Sequence, residues 1–283
     1  MRFCILIARQ YGKQHVGREL PLNVTEVTQT DPRDRPSAYT LLGMKLNPMT
    51  TGDLLELLQA RINAGQQCLI AYQNLHGMHF SYIDEAFNRL HQRQNCFVYI
   101  DGFPIYLLSR LFGYSVARRH RITGNDYIWP LLSLAEQGGW RLYLLGGNEK
   151  VLSAASDMIR HRVPDLVFRA HHGYFDAASE GDAVIKDILA FAPALVIVGL
   201  GMPLQEQWIL ENAALLASTS VCAMGAIIDY ISGSERVPPR WLGAVGLEWL
   251  FRLIDNPARF WQRYLFEPWL VLANVALFSL KRK

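Results

Sequence analysis

The sequence predicts an α/β fold: a mainly parallel sheet covered by helices on both faces, followed by a helical appendage. Three observations carry this prediction. Short apolar runs alternate with helix-length stretches from about residue 38 onward, the pattern of crossover-linked parallel strands. Several of these runs end in glycine, as strands do where a ligand or a second backbone approaches closely. Residues 236–283 then shift in composition toward arginine and aromatic side chains.

Taken in order, residues 1–37 read as a variable N-terminal segment that ends in the proline-punctuated linker Asp31-Pro32-Arg33-Asp34-Arg35-Pro36. Its start, MRFCILIARQYGKQ, has only about six apolar residues before polarity returns, too few for a signal-peptide core. A short strand is expected over 39–46. A helix is expected over 51–64, with Thr51 as N-cap and apolar spacing at Leu54, Leu55, Leu58 and Ile62. Strands are expected over 68–73, 97–100, 141–145, 166–171, 195–199 and 221–224, and helices over 78–92, 126–137, 149–162, 182–192 and 203–216. This alternation is Rossmann-like. It assigns 38–235 to one catalytic domain and 236–283 to the appendage.

Composition narrows the partners. A chain of 283 residues, 51% hydrophobic and 19% charged, can bury a large core. A net charge of +3 with no basic run on the main body argues against nucleic acid. Cys4, Cys68, Cys96 and Cys222 stand far apart without a CxxC pair. The last three sit in or beside apolar runs, as reduced core cysteines of a cytosolic protein would.

The segment VIVGLGMPLQEQW, Val196 to Trp208, is the most informative. Its strand ends in Gly199-Leu200-Gly201, and Pro203 opens a polar helix expected to place Gln205 and Glu206 at the mouth of a crevice. The residue three beyond Gly201 is Leu204, so the dinucleotide fingerprint is incomplete, which argues against a nicotinamide enzyme. Other predicted strands end in Asp101-Gly102, Gly146-Gly147-Asn148 and Gly225. Thr123 and Gly124 precede a helix start, where a hydroxyl and bare amides suit an anion. A nucleotide diphosphate fits this set best. No Asp-x-Asp pair stands at the strand ends, so no metal is expected.

From Arg236 onward eight basic residues face only Glu248, Asp255 and Glu267, interleaved with Trp241, Trp249, Phe251, Phe260, Trp261, Tyr264, Phe266 and Trp269. Rings and guanidinium groups in this mixture favour a membrane interface. The apolar run 269–280 falls short of the roughly 20 residues that span a bilayer, so it is expected to lie on the cytoplasmic face. A core helix packed on the domain is the other reading. An exposed apolar tail could be covered by lipid or by a second copy of the chain, which leaves a homo-oligomer open.

Thr123-Gly124-Asn125-Asp126, Gly199-Leu200-Gly201-Met202-Pro203-Leu204-Gln205-Glu206 and Gly225-Ala226-Ile227-Ile228-Asp229-Tyr230-Ile231-Ser232-Gly233 resemble the WecG/TagA/CpsF glycosyltransferases. So do Arg236-Val237-Pro238, the run Gly246-Leu247-Glu248-Trp249-Leu250-Phe251-Arg252-Leu253, and Pro257-Ala258-Arg259. The resemblance runs in order from about residue 42 to 264. It implies a bacterial enzyme at the cytoplasmic face of the inner membrane. Such an enzyme moves a sugar from a UDP-sugar to a polyprenyl-diphosphate-linked saccharide, with inversion and without a metal or other cofactor.

The resemblance also implies site residues. Asp101 matches a catalytic base, although a helix cap or a ribose contact would suit the same position. Gln205 matches a residue that reads the uracil edge, with Glu206 as ribose contact or cap. Thr123, Gly124, Gly147, Gly199, Gly201 and Gly225 are expected to line the nucleotide. Arg236, Arg252 and Arg259 match tail arginines that close over the diphosphate, where they could stabilise departing UDP. One departure stands out in Ala71-Tyr72-Gln73-Asn74: the family commonly has threonine where Tyr72 stands, while Asn74 is retained. Tyr72 and Asn74 are placed with Asp101 in the catalytic set, and the bulkier ring is expected to alter the donor or acceptor pocket. The rival reading is a non-catalytic sugar-nucleotide-binding protein of a polysaccharide assembly complex.

Overall fold

A computed structural model describes residues 37–176 and 179–281. The segment 1–36 with its linker and Cys4, and Arg282 and Lys283 at the end, lie outside the described residues.

The described chain opens with a hairpin, β1 (Tyr39–Leu41) and β2 (Met44–Leu46), paired antiparallel. The single strand expected over 39–46 is thus two, because Leu42 and Gly43 both take positive φ and turn the chain back. Helix α1 (Thr51–Asn63) begins at the residue read from the sequence, but its cap is Thr50 and not Thr51. The Thr50 hydroxyl accepts from the Asp53 amide at 3.2 Å, and the Asp53 carboxylate accepts from the Thr50 amide at 2.8 Å.

Six parallel strands follow: β3 (Leu69–Gln73), β4 (Cys96–Ile100), β5 (Leu142–Gly146), β6 (Phe168–His171), β7 (Leu195–Gly199) and β8 (Ser220–Ala223). Their spatial order is β4-β3-β8-β7-β5-β6. Between β3 and β4 the helix expected over 78–92 is two, α2 (Leu75–Ile83) and α3 (Glu85–Gln92). Asp84 is extended and ends the first while its carboxylate caps the Phe87 amide of the second. Helix α4 (Phe103–Leu111) follows β4 and was not anticipated from the sequence. The remaining crossovers are α5 (Gly124–Gln137), α6 (Glu149–Arg162), α7 (Gly181–Phe191) and α8 (Leu204–Asn212). After β8 come α9 (Ile227–Ser232), α10 (Arg240–Val245), α11 (Glu248–Asp255), α12 (Pro257–Leu265) and α13 (Glu267–Lys281).

Alternate residues of each strand feed two cores, as the period of two requires. Ile70, Phe97, Tyr99, Leu144, Ile197 and Cys222 pack with α1, α5, α6 and α9. Ala71, Val98, Leu145, Val198 and Ala223 pack with α2, α3, α7 and α8. Cys68, Cys96 and Cys222 are buried free thiols, and burial pushes the Cys68 and Cys96 thiols up to about 12. Strands β3 and β8 are neighbours in space, yet the chain leaves them in different directions. The crevice at their carboxyl ends is therefore the topological switch point of the sheet.

The appendage is docked on this body. Helix α13 lies along α2, with Val271 buried in the second core while Trp269, Leu270 and Leu272 are exposed. No helix among the described residues is long and apolar enough to cross a membrane.

The Thr50 cap gives a direct check. Thr50→Ala removes the hydroxyl acceptor and is expected to cost about 1 kcal/mol, read as a lower urea midpoint with an unchanged slope.

Candidate active site

The switch point collects side chains from β3, β4, β7, β8 and the appendage. Asn74 follows β3 and caps α2: its Oδ1 accepts from the Gly77 amide at 3.0 Å. That bond aims its Nδ2 at Asp101, just past β4, where it donates to Oδ2 at 3.0 Å. No hydrogen bond from the described residues falls on Asp101 Oδ1. Burial raises the Asp101 carboxyl above its ordinary range, while the Arg252 guanidinium, the Asn74 amide and Arg263 pull it back and Glu248 pushes it up. A half-buried carboxylate with one oxygen fixed and the other open can take a proton from a hydroxyl.

Arg252 arrives from α11. Its guanidinium lies 5.7 Å from the centroid of the Tyr230 ring, and its buried Nε has no hydrogen-bond partner among the described residues. Arg263 of α12 was absent from the set read in the sequence. Its charge acts on Asp101, Tyr72 and His76, which places it among the ends of β3 and β4 and the start of α2. Two further links were unread. Arg121 pairs with Glu248 of α11 at 3.1 Å, and His76 Nδ1 meets Glu267 of α13 at 2.6 Å. Burial lowers the His76 imidazole below its usual range, against the Glu267 bond. Arg236 and Arg259 are engaged elsewhere. Arg259 pairs with Glu235 at 2.6 Å, and the exposed Arg236 lies 3.7 Å from Asp255.

The glycines form a file across the sheet edge. A Cβ on Gly146 would come within 2.6 Å of the Gly199 carbonyl oxygen, and one on Gly199 within 2.8 Å of the Gly225 carbonyl oxygen. One on Gly225 would come within 2.6 Å of the Tyr72 hydroxyl. Gly201, with φ +79°, has open space where a Cβ would stand. Gly147 touches Ile228 and Val151, and Gly124 packs on Ile227 and Met224, so both serve close packing as well as a turn. Thr123 spends its amide and hydroxyl hydrogens on the Asp126 carboxylate, each at 2.9 Å.

Gln205 and Glu206 differ most from expectation. They lie beneath the crevice, not at its mouth, and both are wholly buried. Gln205 Oε1 accepts from the Gly225 amide at 3.0 Å, and its Nε2 donates to Glu206 Oε1 at 2.7 Å and toward the Tyr72 hydroxyl at 3.4 Å. Its amide is thus fully used by the protein. Burial pushes the Glu206 carboxyl up to about 8, with Asp84 adding to the effect, and its Oε2 has no hydrogen-bond partner among the described residues. Among the described residues, no cluster of three or more His, Cys, Asp or Glu side chains could hold a metal ion.

Fold and site together define an α/β protein whose candidate site lies at the carboxyl edge of a parallel sheet. More particularly, the chain belongs to the glycosyl transferase WecG/TagA/CpsF family, whose model matches residues 39–283. It is therefore a glycosyltransferase. It is similar to an N-acetylglucosaminyldiphosphoundecaprenol N-acetyl-beta-D-mannosaminyltransferase of Staphylococcus aureus strain NCTC 8325 / PS 47. The two are 28% identical over 188 residues, 66% of this chain and 69% of that protein. The protein of the same name from strain MW2 is 27% identical over 195 residues, 69% of this chain and 70% of that protein.

The buried acid gives a prediction with a definite sign. Glu206 holds its proton more tightly folded than unfolded, so its contribution to stability falls as pH rises from 4.5 toward about 8. Thermal unfolding of Glu206→Gln across that window is expected to show a shallower decline than the wild type.

Proposed function

We propose that this glycosyltransferase moves a hexosyl residue from a UDP-sugar to a saccharide carried on a polyprenyl diphosphate, with inversion, in the synthesis of a bacterial exopolysaccharide or cell-surface polysaccharide. The observation that carries the reading is the Asp101 carboxylate, fixed through one oxygen by Asn74 and open through the other, beside Arg252. The activity for which the staphylococcal relatives are named supports a lipid-diphosphate acceptor, and the motif resemblance supports a UDP-linked donor. The hexosyl residue is glucose, N-acetylmannosamine or its uronic acid.

In this mechanism the acceptor hydroxyl gives its proton to Asp101 Oδ1 as its oxygen attacks the anomeric carbon. The new glycosidic bond forms as the bond from that carbon to the β-phosphate oxygen breaks, and UDP leaves with the electron pair. Arg252 and Arg263 offset the charge that develops on the diphosphate, the task a metal ion performs elsewhere. The Gly201 turn and the amides at the start of α5 and α6 are assigned to the nucleotide. Gln205 and Glu206 act on it through Gly225 and Tyr72. Arg259 ties the appendage to Glu235, and Arg236 lies against Asp255 within the appendage.

The domain division follows: 38–235 carries the base and the nucleotide loops, and 236–283 supplies the arginines and a lipid-facing surface. Trp241, Ile254, Phe266 and Trp269 are each more than half exposed on the appendage, an arrangement that suits the bilayer interface beside a lipid-linked acceptor.

Two measurements test this reading. Asp101→Asn should retain UDP binding and lose transfer by about a hundredfold or more, as expected for loss of a general base; transfer at the wild-type rate would refute the role. The double change Ile254→Glu and Trp269→Glu should leave the protein folded and reduce its co-sedimentation with anionic liposomes.

A further inference from the structure

Tyr72 is half-buried, its ring 5.8 Å from that of Tyr99 and its hydroxyl directly over Gly225. The polarity of its hydrogen bond to the protein follows from the other bonds of Gln205. The Gly225 amide can only donate, so the Gln205 group facing it at 3.0 Å must be the carbonyl oxygen. The amide nitrogen therefore faces Glu206 Oε1 and the Tyr72 hydroxyl, and an amide nitrogen can only donate. Tyr72 Oη accepts from Gln205, and its own hydrogen is left for a partner on the crevice side.

Glu206 secures this arrangement. It is wholly buried, and its Oε1 takes the first Gln205 hydrogen, which leaves the second for Tyr72. The titratable groups facing it are Asp84 from the α2–α3 junction, Tyr72 from β3 and Cys96 from β4, and none of them is a cation. With burial and Asp84 both favouring the neutral acid, Glu206 carries its proton until about pH 8. Above that, a buried anion competes for the Gln205 amide and draws it from Tyr72.

We propose that Tyr72 is a specificity-determining residue whose hydroxyl donates to an oxygen of the bound sugar nucleotide, and that Gln205 and Glu206 are the pair that positions it. The ligand oxygen belongs to the pyranose, the part in which the donors differ. The proposal rests on the UDP-sugar reading above, and it concerns the position where this chain departs from the family motif.

The test is a donor panel of UDP-glucose, UDP-N-acetylmannosamine and its uronic acid, with full-length wild type, Tyr72→Phe and Glu206→Gln, measured on either side of pH 8. Tyr72→Phe should lower kcat/KM for the preferred donor by about tenfold, the worth of one hydrogen bond, and flatten the ranking of donors. The inhibition constant for UDP should be unchanged in that variant; a raised one places the bond on the diphosphate common to all donors and overturns the specificity role. Wild-type selectivity should weaken above pH 8, and in Glu206→Gln it should no longer change across that boundary. Tyr72→Phe with the wild-type ranking, or Glu206→Gln with the wild-type pH profile, would overturn the proposal. If the wild type transfers from no UDP-sugar, the functional reading fails, and infrared difference spectroscopy still decides the coupling. Loss of a protonated carboxyl band across pH 8, absent in Glu206→Gln, should accompany a tyrosine-ring shift absent in Tyr72→Phe. A carboxyl change without the tyrosine shift overturns the coupling.

Discussion

The close approach of four loops at the carboxyl edge of the sheet is the constraint on which the site depends. The ends of β5, β7, β8 and β3 press together at Gly146, Gly199, Gly225 and Tyr72, with no room for a methyl group at the first three. Backbone that close needs its polar groups satisfied from below. The buried Gln205 does this for the Gly225 amide, and Glu206 in turn fixes which way the Gln205 amide points. The crevice floor is therefore set by polar groups that never reach solvent.

Most of the sheet was legible because its strands are buried on both faces, so apolar runs of the right length mark them without ambiguity. The misses have local causes. Leu42-Gly43 turns a hairpin with positive φ at both positions, and leucine is not a residue that announces such a turn. Asp84 ends one helix and caps the next, so a continuous helical pattern concealed a break. Helix α4 begins after Gly102 at φ +95° with no side-chain cap, and Pro104 in its first turn is the start signal that went unread.

The site was legible where residues sit at strand ends. Asp101 and Asn74 meet because β3 and β4 are adjacent and in register, a relation that parallel pairing makes natural. Gln205 and Glu206 were placed one layer too high, since a helix start after a glycine turn does not reveal which way its first side chains face. Arg263, Arg121 and His76 were missed for a different reason. Arg121 finds Glu248 across 127 residues and His76 finds Glu267 across 191, and no local pattern carries such contacts. Arg263 was visible only as one charge among eight in a basic, aromatic tail.

Those long-range pairs have a consequence in time. A ribosome delivers Asp101, the glycine loops and the buried Gln205–Glu206 pair well before it delivers Arg252, Arg263 and Glu267. The nascent chain thus carries a nearly finished sheet whose charge complement is incomplete. Val271, sealed in the core built around α2, joins only when the last helix emerges. Assembly of the arginine side of the crevice therefore waits on elements that follow the sheet in the chain.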